Sequence, residues 1–208
     1  MRTILVANRK GGCGKTTVAT NIAAALAARG HAVALADADR QKSALKWLSL
    51  RPKAAARIVG LNWCKDKNLG DTPTEIDTVV IDGPGALSTS HAETLIGEAN
   101  EIVVPLLPSL FDTDSTDRFL AKIEKLKKVR KGKADILMVA NRVRLRSQAL
   151  ARLEAHQAEA GRPLMARISD RAAYSHLASE GLTIFDSAGR EFTPLRNQWQ
   201  PLLLALEV

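Results

Sequence analysis

Six short apolar runs recur along the chain, at about residues 3–8, 32–37, 77–82, 101–105, 135–140 and 163–168. Ile4-Leu5-Val6-Ala7 and Val79-Val80-Ile81 are continuous rather than alternating, the pattern of strands covered on both faces. Between the runs lie stretches read as helices, near 15–29, 41–51, 88–98, 114–131, 146–160, 171–180 and 195–206. Strands alternating with helices predict an α/β fold with a mostly parallel central sheet flanked by helices. Residues 60–76, with Gly60, Gly70, Asp71 and Pro73, are the least patterned part and read as a loop. No repeat, low-complexity tract or linker interrupts the pattern, and residues 1–208 are expected to form a single domain.

The first strand runs into Lys10-Gly11-Gly12-Cys13-Gly14-Lys15-Thr16-Thr17, and a helix follows. Glycines there let the backbone bend until successive N–H groups point at phosphate oxygens. Lys15 is placed to reach the β- and γ-phosphates and the Thr16 hydroxyl to hold Mg²⁺. The helix aims its positive end at the same anion. The usual phosphate loop has glycine five positions before Gly14, but that position is Arg9; Lys10 instead puts a cation on the rim.

Two further strands end in carboxylates: Val33-Ala34-Leu35-Ala36-Asp37-Ala38-Asp39 and Val79-Val80-Ile81-Asp82-Gly83-Pro84-Gly85. A parallel sheet places ligands at the carboxyl ends of its strands, and all three acids should converge near the loop. A hard cation needs oxygen ligands, often through water, which suits Asp82. Asp37 or Asp39 could orient the water that attacks a γ-phosphate. An Asp after a strand also serves as the cap of the next helix, a competing role for either member of that pair.

These segments together resemble the ParA family of deviant P-loop ATPases, in particular its small members. Ser43-Ala44-Leu45-Lys46-Trp47-Leu48, the strand with spaced prolines at Pro105 and Pro108, and Ile168-Ser169-Asp170-Arg171-Ala172-Ala173-Tyr174 extend the resemblance through most of the chain. It implies ATP and Mg²⁺ as cofactors and an ATP-dependent sandwich homodimer. Lys10 would cross to the nucleotide of the other subunit, where a cation between two anions in a dry interface is strongly felt. It implies that Thr16, Asp37 and Asp82 serve the metal, that Asp39 positions the attacking water, and that Asn141 reads the adenine, whose edge an amide side chain matches. Arg40 stands where the family usually has proline. Larger relatives carry an N-terminal helix-turn-helix; here the chain starts at its first strand, and sequence-specific operator binding is not expected.

Charge adds a partner. The formal net charge is +8, and residues 118–171 hold 15 of the 30 basic residues against 5 of the 22 acidic ones. One cluster is Lys122, Lys125, Lys127, Lys128, Arg130, Lys131 and Lys133; the other is Arg142, Arg144, Arg146 and Arg152. Such a block is either the footprint of a polyanion or a solvated helix face. The resemblance implies non-specific DNA as the polyanion, with Arg144, Arg146 and Arg171 as contacts.

Cys13 and Cys64 form no paired framework and no metal spacing, which fits a cytoplasmic protein. The four histidines have no ligand spacing, and Tyr174, Trp47, Trp63 and Trp199 read as packing residues, with Trp47 also a candidate for the dimer face. The tail Pro201-Leu202-Leu203-Leu204-Ala205-Leu206 lacks the basic face of a membrane-targeting helix, and no membrane partner is expected. The expected function is a ParA-type partitioning or positioning ATPase, nucleoid-associated and released when a ParB-like or cargo-adaptor protein stimulates hydrolysis. The competing readings are a metabolic ATP-dependent ligase or synthetase and a MinD-like membrane-associated ATPase.

Overall fold

The computed structural model describes residues 1–64, 70–85 and 90–206. The middle of the 60–76 loop, the start of the helix expected from residue 88 and the side chain of His91 lie outside the described residues. The strands are β1 (Arg2–Val6), β2 (Val33–Asp37), β3 (Ile58–Asn62), β4 (Thr78–Asp82), β5 (Glu101–Leu106), β6 (Asp135–Val143) and β7 (Leu164–Ser169). The helices are α1 (Lys15–Ala28), α2 (Ser43–Leu50), α3 (Ser90–Glu98), α4 (Leu110–Ile123), α5 (Lys127–Arg130), α6 (Gln148–Glu159), α7 (Ala172–Ser179) and α8 (Thr193–Ala205).

Among the described residues seven strands run parallel in the order β3-β2-β4-β1-β5-β6-β7. Their continuous apolar runs are explained by helices on both faces. Leu5, Val79, Ile81 and Ile102 face a core built with α3, α4 and α6. Ile4, Val6, Leu35, Val80 and Val103 alternate to the other face, against α1, α2, α7 and α8. Ala19, Ala23 and Ala24 bring α1 close to the sheet, because a methyl group is all that separates backbone from strand.

The register decides the site. Val6 pairs with Asp82, and Asp82 with Asp37, so the ends of β1, β4 and β2 lie level. The chain builds β2, β3 and β4 on one side of β1, then crosses to β5, β6 and β7. The loop after β1 therefore opens at the point where strand order reverses, the usual ligand crevice of such sheets.

Three element boundaries differ from expectation. Residues 58–62 form the edge strand β3, half-exposed along its length, where a loop from Gly60 was expected. Gly60 is a packing residue: a Cβ there would lie 3.1 Å from Leu48 Cδ1 and 3.2 Å from Leu45 Cδ2, so its absence lets α2 pack closely. The helix expected over 114–131 starts at Leu110, capped by Ser109, and breaks at Leu126, whose extended backbone turns its side chain onto the core. Finally, β6 runs past residue 140 to Val143 and carries Asn141 with it.

Most of the apolar tail is core, although Leu204 faces solvent. Trp199, Leu202, Leu203 and Leu206 are all buried, and Trp47 is buried too, donating its indole N–H to the Leu182 carbonyl at 3.3 Å. Among the described residues no helix is long and apolar enough to cross a membrane.

Candidate nucleotide site

The loop between β1 and α1 is held from inside the protein. Asn8, fully buried, donates to the Pro105 carbonyl at 2.8 Å and to Thr116 Oγ1 at 2.9 Å, and its Oδ1 accepts the Lys10 N–H at 3.2 Å. It ties the loop's start to β5 and α4. Gly12 and Gly14 have φ of 79° and 89°, backbone that a side chain would strain. A Cβ at Gly14 would also lie 2.3 Å from Asn141 Nδ2. Cys13 is buried and its thiol donates to the Lys10 carbonyl at 3.2 Å; burial pushes its pKa up and keeps it a thiol. Lys15 is almost buried, its Nζ 3.5 Å from the same carbonyl, while Lys10 lies half-buried on the rim.

Below the loop, Thr16 Oγ1 donates to Asp82 Oδ2 at 2.7 Å. The other oxygen, Asp82 Oδ1, is buried and has no hydrogen-bond partner among the described residues. Burial pushes the Asp82 carboxyl up to about 7, with the nearby Asp37 and Asp39 charges adding to it and Thr16 and Lys15 opposing. A carboxylate with a vacant lone pair, next to a hydroxyl and under a phosphate loop, has the chemistry of a hard-cation ligand.

Asp37, expected beside the cation, accepts one backbone N–H on each oxygen, from Asp39 at 3.1 Å and from Leu45 at 3.0 Å. It braces the turn and the start of α2, the capping role left open by the sequence. Burial raises its pKa despite those bonds. Asp39 accepts from Gln41 N–H at 2.9 Å and from Gly85 N–H at 2.8 Å, linking the loop after β2 to the loop after β4. The turn that proline would stiffen in relatives is closed here by Asp39, whose carbonyl accepts the Lys42 N–H at 3.0 Å; Arg40 points to solvent.

Asn141 reaches the loop from β6. A register shift precedes it and Arg142 follows with φ 51°, a distortion of the strand end that re-aims side chains. Its Nδ2 donates to the Cys13 carbonyl at 2.8 Å. From there a groove of about 960 Å³ runs past Gly14, Thr17, Trp47, Arg171 and Tyr174. Thr16 and Asn141 also line it, so Asn141 and the closing residues of the loop meet at one groove. Arg144 and Arg146 stand apart on the exposed turn after β6, and Arg171 sits exposed at the start of α7. Sequence reasoning missed Asn8; its signal was a polar residue ending an otherwise apolar strand.

A glycine-rich loop between a parallel strand and a helix, with lysine and threonine at its close and an acid on the neighbouring strand, defines a P-loop nucleotide-binding protein. The family described as the CobQ/CobB/MinD/ParA nucleotide binding domain matches residues 4–184. The chain belongs to that family. It is 32% identical over 193 residues to Maintenance of carboxysome distribution protein A from Halothiobacillus neapolitanus, spanning 90% of this chain and 88% of the relative. An ATP complex of McdA from Cyanothece superposes with a TM-score of 0.76 at 18% identity, covering 97% of this chain and 96% of the other. The cell division ATPase MinD of Pyrococcus furiosus superposes with 0.74 at 21% identity, covering 99% and 98%. Both structural likenesses show the all-parallel fold.

Proposed function

We propose that this protein is a ParA-type positioning ATPase. ATP closes two copies face to face, the dimer holds non-specific DNA, and an adaptor protein triggers hydrolysis and release. The carrying observation is the Thr16–Asp82 pair under the loop, with one buried carboxylate oxygen left unpartnered among the described residues. Thr16 and Asp82 are the residues to hold Mg²⁺, which when bound supplies charge neutralisation of the phosphoryl group. Lys15 binds the phosphates, the loop N–H groups orient them, and Asn141 and the groove beyond it receive the nucleoside. Asp39 has a remaining lone pair on each oxygen and orients the water.

The dimer reading draws support from the rim. Leu110 and Phe111, the first two residues of α4 after β5, are 79% and 78% exposed, an apolar pair on the same end of the sheet as Lys10. Covered by a second copy, they surround the cation with dry surface. The buried tail helix speaks against membrane attachment through that segment. The relative named for carboxysome distribution makes a large protein assembly the favoured cargo.

Sedimentation with Mg²⁺ and a non-hydrolysable ATP analogue tests the proposal. The wild type should dimerise with the analogue and not with ADP. Lys10→Ala should bind nucleotide yet stay single, and Arg146→Ala and Arg171→Ala should dimerise but lose DNA retention on all sequences alike, with a flatter salt dependence. A protein that stays monomeric with the analogue overturns the proposal.

A further inference from the structure

The lysine-rich cluster is remote from the nucleotide site. Lys127, Lys128, Lys131 and Lys133 precede β6, while Asn141 and the exposed arginines lie at its far end. Nine strand residues separate them by roughly 30 Å. The four lysines line a groove of about 500 Å³ between α3 and α5, with Leu126, Gly97 and Glu93. Glu93 is neutralised by Lys122 at 2.9 Å. Among the described residues, none of the four lysines has a carboxylate within ion-pair distance.

We infer that this groove docks an acidic segment of a partner protein, one in which carboxylates alternate with apolar side chains. Uncompensated positive charge calls for an anionic ligand. The floor narrows the choice. Leu126 and the aliphatic stems of the lysines offer an apolar seat that a phosphate chain does not use and an alternating peptide does. The groove's distance from the loop leaves it accessible in either nucleotide state, so a partner could be held there before and after hydrolysis.

Fluorescence anisotropy on the full chain, with a labelled eight-residue peptide alternating glutamate and leucine, tests this. Binding should weaken with salt. It should fall roughly tenfold or more in Lys127→Glu/Lys131→Glu. Gly97→Glu should have the same effect; a Cβ at Gly97 meets nothing within 4 Å, so this change places a carboxylate in the groove without disturbing the core. Gly97→Ala should bind like the wild type, and ADP affinity should be unchanged in every variant, which separates this result from the nucleotide proposal. No binding, equal binding by the charge-reversed variants, equal binding of a glutamine-leucine peptide, or stronger competition by a DNA duplex or inorganic triphosphate than by unlabelled peptide would each overturn the inference.

Discussion

Asp186 and Asp82 are both buried carboxylates, and the protein treats them in opposite ways. Asp186 receives the Arg51 guanidinium on both oxygens, at 2.5 and 3.0 Å, and the Thr183 N–H and hydroxyl at 2.8 Å each. Arg51 also donates to the Gly181 and Ala56 carbonyls at 3.1 Å, fastening the end of α2 to the segment after α7. Among the described residues Asp82 has one hydroxyl partner and one unpartnered oxygen. A saturated buried charge holds structure; an unsaturated one is tolerated where binding will complete it. Among the described residues Glu101 and Asp112 also keep an unpartnered buried oxygen, so it is the position of Asp82 under the phosphate loop, beside Thr16, that marks it as a ligand.

The largest effect should come from breaking the saturated side. Arg51→Ala leaves Asp186 buried and unpaired and should cost about 3–5 kcal/mol in urea unfolding. A cost under about 1 kcal/mol would show that Asp186 is satisfied without it.

Asp82→Asn should do the reverse. The folded carboxyl sits near 7 against an ordinary 3.8, so the folded state holds the proton more tightly than the unfolded chain. That raised value destabilises the nucleotide-free protein progressively as pH climbs from about 4 to about 7, and fully above it. The variant should therefore be more stable at pH 8, on the order of 3 kcal/mol, with the gain vanishing towards pH 4. Thermal melts across that range check the sign, and the same variant should lose Mg²⁺-dependent nucleotide binding.

Gly181→Ala should cost about 2 kcal/mol through the clamp alone. Its φ is 69°, and a Cβ would lie 2.4 Å from Arg51 N and the Leu50 carbonyl carbon. The smallest effect should follow Tyr174→Phe, which removes the acceptor of the Trp199 indole N–H at 3.0 Å. A neutral pair of this kind should cost about 1 kcal/mol, several-fold less than the charged clamp. Burial pushes the Tyr174 phenol up to about 12, so this contact should hold unchanged across the pH 4–8 melts.

Much of the fold was legible because its strands are buried on both faces and so appear as uninterrupted apolar runs. β3 was not, since an edge strand needs apolar residues on one side only and its glycine serves α2 rather than a turn. The break at Leu126 was hidden for a related reason: Ile123, Leu126 and Val129 all touch the core, and their spacing suits one helix as well as two. The phosphate loop was legible because its chemistry is local, a matter of consecutive backbone N–H groups. The different hydrogen-bond partners of Asp37, Asp39 and Asp82 were not, because they depend on which donors lie opposite each one.

The chain alone determined that a phosphate loop joins a buried strand to a helix, that acids end two neighbouring strands, and that positive charge concentrates in the second half. These are properties of order and spacing along one dimension. Only the tertiary structure decided that Asp37 braces α2 while Asp82 keeps a free oxygen, that Asn8 anchors the loop, that most of the apolar tail is core, and that lysines and arginines occupy opposite ends of β6. Each of those turns on the register of strands far apart in sequence, which sets the neighbours a side chain meets and hence what it is free to bind.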